Sequence, residues 1–420
     1  MAGNAMKYQY SAEELINKLY QKGIMGDNNG TFLQNLIDNS LVFNENLPFY
    51  MECFSIDGNE AKADLSDSKK LPTWSVNSYQ RRRIPMADAM APLSETMQLE
   101  NEGYTTKTGS MYQWGSGLYQ TSMGKLELEA RLRSLNIQDQ TILGGYVKSV
   151  ADAIKSHNSR LSNMAAQVIS QGGAYSNSGH GMVGVQAIQT AYVPSANFIT
   201  AGTKIWSDMT TDAECNIPEQ MKKIQNDFKE SKGLDESFGM QWDIPYTMAI
   251  NVLLKNPYFI SEINRYIKMF SPDKVIIITE GKSNLDTTSL SLRQLEEYSR
   301  SEVSKIAPIH IVKEAQSYQT LTTYSTTNGW DADKAVLRPL GLAGIVCHAE
   351  PKDIAMFRSG EVNSTIELNI AMAQGFLYVV NKAVPNGMFK AYSNDVIGSY
   401  ATVLNEIDYH VVVDTATADQ

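Results

Sequence analysis

Leu143–Tyr175 reads LGGYVKSVADAIKSHNSRLSNMAAQVISQGGAY, and its periodicity sets how the rest of the chain is organised. Leu143, Val147, Val150, Ile154, His157, Leu161, Met164 and Val168 follow one another in alternating steps of four and three. That spacing keeps side chains on one side of an α-helix, so a long amphipathic helix is predicted from about Gln138 to Ser170. At its usual rise such a helix spans about 45 Å. Gly172 and Gly173 predict its end, because glycine enters the left-handed conformation that closes helices without steric cost. His157 interrupts the apolar stripe with no second ligand beside it, and is read as a packed, hydrogen-bonded histidine. Gly144 and Gly145 each cost about 1 kcal/mol relative to alanine inside a helix; they are read as permitting close packing rather than a bend.

Upstream, SAEELINKLYQKG (Ser11–Gly23) reads as a short helix with Ser11 as cap, Glu14 at the capping-box position and Gly23 as stop. Gly26–Gly30 is a turn and not a calcium loop, because Met25 stands where an acidic ligand would be needed. Leu71–Gln120 is polar and punctuated by proline and glycine, without a sustained apolar stripe. Trp74, Tyr79, Tyr104, Tyr112, Trp114 and Tyr119 argue against disorder there, since aromatic rings are costly to leave in water. The stretch is read as an extended excursion that becomes ordered against something else.

Downstream of the long helix, GVQAIQTAYV ends at Pro194 and reads as a strand. IPEQMKKIQNDFKES is a helix with Pro218 in its first turn, and YTMAINVLLKNP is another limited by Pro257. DKVIIITE, APIHIVKEA, GLAGIVCHAE, GFLYVVNKAV and YHVVVDTAT read as strands from their β-branched runs. Helices and strands do not alternate regularly and no repeat is visible, so the fold class is α+β.

The 420 residues suffice for two or three domains. Lys and Arg number 36 against 46 Asp and Glu, so the formal charge is 36 − 46 = −10. A negative body repels phosphate, which argues against sequence-specific nucleic-acid binding over a broad face. Cys53, Cys215 and Cys347 are odd in number and widely spaced, as suits a reducing compartment. The N-terminal stretch lacks the pattern of a secretory leader and no run is long and apolar enough for a membrane span, so a cytoplasmic origin is expected.

Two glycine motifs invite a cofactor reading. Gly179, Gly181 and Gly184 have dinucleotide-turn spacing but follow a helix, precede a strand and lack the acidic residue about twenty positions on. Gly281-Lys282-Ser283 follows a strand, yet Ile276 stands where a phosphate loop needs its first glycine. There is no G-x-S-x-G elbow and no H-E-x-x-H pair. Cys347 and His348 are neighbours on a strand and face opposite ways. Glu127 with Glu129, and Glu296 with Glu297, sit in charged stretches read as solvated. Catalytic, cofactor and metal residues are therefore not assigned.

The order of parts resembles the major capsid proteins of tailed bacteriophages with the Hong Kong 97-type fold. Arg131–Tyr175 is similar to that family's spine helix and the turn after it. FGMQWDIPYTMAINVLLKNPYFISEINRYI is similar to the segment entering its axial (A) domain, and DKAVLRPLGLAGIVCHAEPKD, with Gly341 and Gly344, to a late strand pair. The resemblance implies an N-terminal arm with its following segment over 1–70, an extended E-loop over 71–124, and a peripheral (P) domain with the spine helix over 125–200. It further implies an A domain over 201–365 and a strand-rich return to the P domain over 366–420.

The implied function is structural and non-enzymatic: self-assembly through hexamers and pentamers into an icosahedral virion head, in the host bacterial cytoplasm. The head would enclose double-stranded DNA without sequence-specific binding and without a membrane. Scaffold, portal and decoration proteins are further implied partners. Arg81, Arg82, Arg83, Tyr112 and Trp114 are the expected inter-subunit contacts, the arginines meeting acidic groups such as those of SAEEL or RQLEEY on a neighbour. Lys107 is one surface lysine among many, and no cross-link is assigned. The alternatives are an encapsulin-like compartment shell and an α+β nucleotide-binding enzyme using Gly281-Lys282-Ser283.

Overall fold

A computed structural model describes residues 48–57, 71–79, 103–120, 139–175, 188–190, 192–201, 206, 216–270, 291–312, 316–319, 324–327, 329–359, 367–386 and 389–416. Ser11–Gly23, Gly26–Gly30, Arg81–Arg83, Glu127, Glu129, Gly179–Gly184, Cys215 and the stretch from Asp273 through Ser283 lie outside the described residues.

In chain order the first elements are α1 (Phe49–Cys53), β1 (Phe54–Ile56), β2 (Thr73–Tyr79), β3 (Tyr104–Ser110), β4 (Tyr112–Gln120) and α2 (Asp139–Ser170). Next come β5 (Ala174–Tyr175), β6 (Ile188–Gln189), β7 (Phe198–Thr200), α3 (Ile217–Ser231), β8 (Met240–Pro245), α4 (Tyr246–Asn251), α5 (Pro257–Phe270) and α6 (Leu292–Ser299). The chain continues through β9 (Ile309–Val312), β10 (Gln316–Gln319), β11 (Tyr324–Thr327), β12 (Lys334–Pro339), β13 (Gly344–Ala349) and α7 (Lys352–Ser359). It ends with β14 (Glu367–Ala373), β15 (Leu377–Asn386), β16 (Phe389–Leu404) and β17 (Val411–Asp414). The architecture is α+β, as the sequence predicts.

α2 is the long helix, and it runs unbroken through Gly144 and Gly145. Ile154, Leu161, Met164 and Val168 on its stripe are fully buried, each worth about 1.5–3 kcal/mol of apolar burial. Its end is a Schellman closure: Gly172 and Gly173 have φ of 66° and 100°, and the Gly173 amide donates to the Val168 carbonyl at 2.7 Å. α2 packs on β16 and β4, and α1 lies against it. There the Tyr50 hydroxyl donates to Asn158 Oδ1 at 3.2 Å.

The first sheet runs β1-β13-β16-β15-β14, with β4 also paired to β16. β16 carries most of it, because its sixteen residues are long enough to take β15, β13 and β4 in succession. Tyr400 is paired with both His348 and Tyr112, so β13 and β4 lie on opposite sides of β16. Gly344 is required at the start of β13: a Cβ there would run into the Val403 carbonyl and approach the Phe54 ring at 2.7 Å.

The second sheet is mixed and runs β7-β17-β12-β8-β9. Met240, Trp242 and Ile244 of β8, Ile309 and Ile311 of β9, Ala335 and Leu337 of β12, and Val411 and Val413 of β17 face a core shared with α3, α5 and α6. Val312 and Val336 instead belong to the core under the first sheet and α2. With period-2 alternation, the second sheet is therefore a wall between two cores. Sheet membership does not follow chain order. β13 lies within 201–365 but pairs in the first sheet, and β17 lies within 366–420 but pairs in the second. Hydrogen-bonded pairing, not chain order, sets that division.

Two further elements differ from expectation. Pro257 does not end a helix but opens α5, with the Asn256 side chain accepting from the Tyr258 and Phe259 amides at 3.2 and 3.3 Å. The Leu71–Gln120 excursion contains a regular hairpin, β2 with β3, in which Trp74, Val76 and Ser78 are buried and Thr73, Ser75 and Asn77 exposed.

Candidate functional site

Two places concentrate side chains that a packed α+β core does not require. The first is the root of the β2–β3 hairpin. Trp74 lies across Gly109 on the neighbouring strand, and Met111 is buried where the hairpin turns into β4. On β4, the Trp114 indole stacks on Tyr400 with centroids 6.1 Å apart, and its N–H donates to the Tyr400 carbonyl at 3.2 Å. The Arg160 guanidinium of α2 sits 4.5 Å above the Trp114 ring. Trp114 thus ties β4 to β16 and to the long helix. Tyr112 is half-buried beside it, and Lys107 is half-buried opposite Val76 on the hairpin. Tyr104, at the far end of β3, is 63% exposed.

The second place is the face of the second sheet turned toward the first core. By alternation this face carries Gln241 and Asp243 of β8, His310 of β9 and Arg338 of β12. Asp243 is fully buried and Arg338 nearly so. Arg338 Nε donates to Asp243 Oδ2 at 2.5 Å, and Nη1 donates to the Gly341 carbonyl at 2.6 Å. Gln241 Nε2 donates to Asp243 Oδ1 at 2.8 Å. Burial alone would raise the Asp243 carboxyl, but Arg338 and His310 hold it well below the usual carboxylate range. Across from this wall stand Glu52 and Cys53 of α1, and the residues together line a cleft of about 490 Å³ with Arg300, Leu340 and Leu342.

The geometry here is that of a structural lock. Both Asp243 oxygens are held by donors of its own sheet, and burial next to a fixed counter-ion shifts a carboxyl as strongly in an ion-pair network as in an active site. Cys347 and His348 behave as their alternation predicts: burial pushes the Cys347 thiol up to about 12, while His348 Nε2 is 2.6 Å from the Asp57 carbonyl. Glu297 pairs with Arg293 at 2.7 Å on the surface of α6. Among the described residues no group of three His, Cys, Asp or Glu side chains is placed to hold a metal ion. No described helix is long and apolar enough to cross a membrane.

No family model matches the sequence, and no curated protein matches it. Solved structures do resemble it. One, assigned as the capsid protein of a prophage of Escherichia coli CFT073, is 12% identical with a TM-score of 0.48, covering 91% of this chain and 98% of that one. A phage-related protein from Bordetella bronchiseptica RB50 is 10% identical with a TM-score of 0.44, over 91% of this chain and 96% of that one. The capsid of Ralstonia phage GP4 is 9% identical with a TM-score of 0.41, over 90% and 93%. At these values the likeness is one of layout and not of residues.

Proposed function

We propose that this chain is a structural shell protein, which associates with copies of itself into the icosahedral head of a tailed phage enclosing double-stranded DNA. The observation that carries this reading is the β2–β3 hairpin. It is a two-stranded sheet among the described residues, its outer face is the exposed row Thr73, Ser75, Asn77, Thr106 and Thr108, and at its root the Met111 amide donates to the Pro72 carbonyl at 2.7 Å. Its inner face, with Trp74 and Val76, packs into the first core, and the polar outer row is the surface left for a neighbouring copy to lie against. In this reading Arg81, Arg82, Arg83, Tyr112 and Trp114 meet the neighbour, Trp114 from its place on β4 against Tyr400 and Arg160.

In this reading hexamers and pentamers are the building units and the virion is the location. Reversing the charge of Arg81, Arg82 and Arg83 together is the test. Assembly read by size-exclusion chromatography is lost while the helical circular dichroism is unchanged; normal assembly by the triple variant would remove these arginines from the contact.

A further inference from the structure

Four histidines lie among the described residues, and three of them need only a neutral ring. His157 Nε2 faces the Val396 carbonyl at 2.9 Å and its Nδ1 faces the Tyr400 hydroxyl at 2.8 Å. His348 Nε2 faces the Asp57 carbonyl, and His410 Nε2 the Ile169 carbonyl at 2.9 Å. One ring N–H satisfies each.

His310 is built differently. Its Nδ1 is 3.1 Å from Asp243 Oδ1, and its Nε2 is 3.7 Å from Glu52 Oε2. The Asp243 contact is a hydrogen bond that a neutral ring with its proton on Nδ1 can make, whereas the longer Glu52 contact is an ion pair that exists only when the ring carries its second proton. The two carboxylates stand on opposite walls. Asp243 belongs to the second sheet, whereas Glu52 is on α1, whose Phe49, Tyr50 and Cys53 are part of the first core. Phe49 lies parallel to the imidazole, 6.3 Å away.

We propose that His310 is a pH-operated clamp joining the first core to the second sheet: protonated, it bridges Asp243 to Glu52 across the cleft; neutral, it keeps Asp243 and releases Glu52. Among the described residues, Asp243, Arg338 and Glu52 are the charged groups that act on it. Burial and the Arg338 guanidinium oppose the imidazolium, while Asp243 and Glu52 favour it and prevail, leaving the ring more basic than an ordinary histidine. Gln241 is a neutral amide, and Arg300 lines the same cleft. Arg338 also crosses the junction, with Nη2 3.8 Å from Cys53 Sγ, but a guanidinium does not titrate in this range and serves as a permanent pin. A group whose folded pKa is raised stabilises fully below its unfolded value, about 6.5, and loses that contribution as pH climbs through the folded value. The clamp is therefore closed below the ordinary histidine value and opens as pH rises through the raised one.

The test is hydrogen exchange of residues 48–57 in the full-length chain between pH 6 and 8.5, corrected for intrinsic rates. Protection of this segment is expected to fall by ~3-fold or more as pH rises, and to be low and pH-independent in His310→Gln. Glu52→Gln, at a half-exposed position, flattens the same profile. Protection that stays constant in the unmodified chain, or an unchanged profile in Glu52→Gln, overturns the proposal.

Discussion

Arg338 and Asp243 form an ion pair that is closed to solvent, with Nε and Oδ2 2.5 Å apart and side-chain exposures of 2% and 0%. Both lie on interior positions of adjacent antiparallel strands, β12 and β8, in which Val336 is opposite Asp243. Desolvating two charges is expensive, and the pair holds because Gln241, His310 and the Gly341 carbonyl supply further partners.

Removing one member leaves the other buried and uncompensated. Arg338→Ala or Asp243→Ala is expected to cost about 3–5 kcal/mol of folding stability, read from urea unfolding midpoints. Arg338→Met combined with Asp243→Leu should recover a large part of the loss, since no charge then remains buried. Equal losses in the double and single variants would contradict this view of the pair.

Acid should destabilise the chain through two other histidines. Burial lowers His157 and His410 to about 4, partly offset by their hydrogen bonds to the Val396 and Ile169 carbonyls. A group with a depressed folded value and a cationic acid form favours folding above its unfolded value and loses that contribution as pH falls toward 4. From 6.5 to about 4, each contributes of order 3 kcal/mol. Melting temperature is therefore expected to drop between pH 6.5 and 4, opposite in sign to the contribution of His310. His157→Gln should show a shallower drop, and an unchanged slope would count against a neutral, buried His157.

Gly344 admits no side chain, whereas Gly115 on β4 has only the Val396 carbonyl near, at 3.9 Å from where a Cβ would stand. Gly344→Ala is expected to cost about 3 kcal/mol by overpacking, while Gly115→Ala stays within about 1 kcal/mol. Thermal unfolding of the two single variants compares the sites directly; equal stability would refute the close approach of β1 and β16 at Gly344.

The long helix was legible because its signal repeats: eight stripe positions and a double glycine agree, and each further turn strengthens the reading. His157 was read correctly for the same reason, as a stripe member without ligands. The inter-core lock was not legible. Asp243, His310 and Arg338 are separated by 67 and 95 residues, and only strand pairing brings them together. A faint signal exists in MQWDIP, PIHIV and AVLRPL, each an apolar strand run with one ionisable residue inside it. In the hairpin, Ser78 and Gly109 on the inner face and Tyr104 on the other strand blur the apolar–polar alternation, so the strands read as irregular. Pro257 reads as a stop in the sequence because proline marks helix ends and helix starts alike, and only Asn256 as cap decides between them.

The central claim, that this chain builds a shell from copies of itself, is tested most directly by negative-stain electron microscopy of the purified full-length chain over a concentration series, alongside size-exclusion chromatography. The account predicts closed shells, capsomer rings or sheets that increase with concentration. A monomer at every concentration, also when a scaffold protein is supplied, would contradict it.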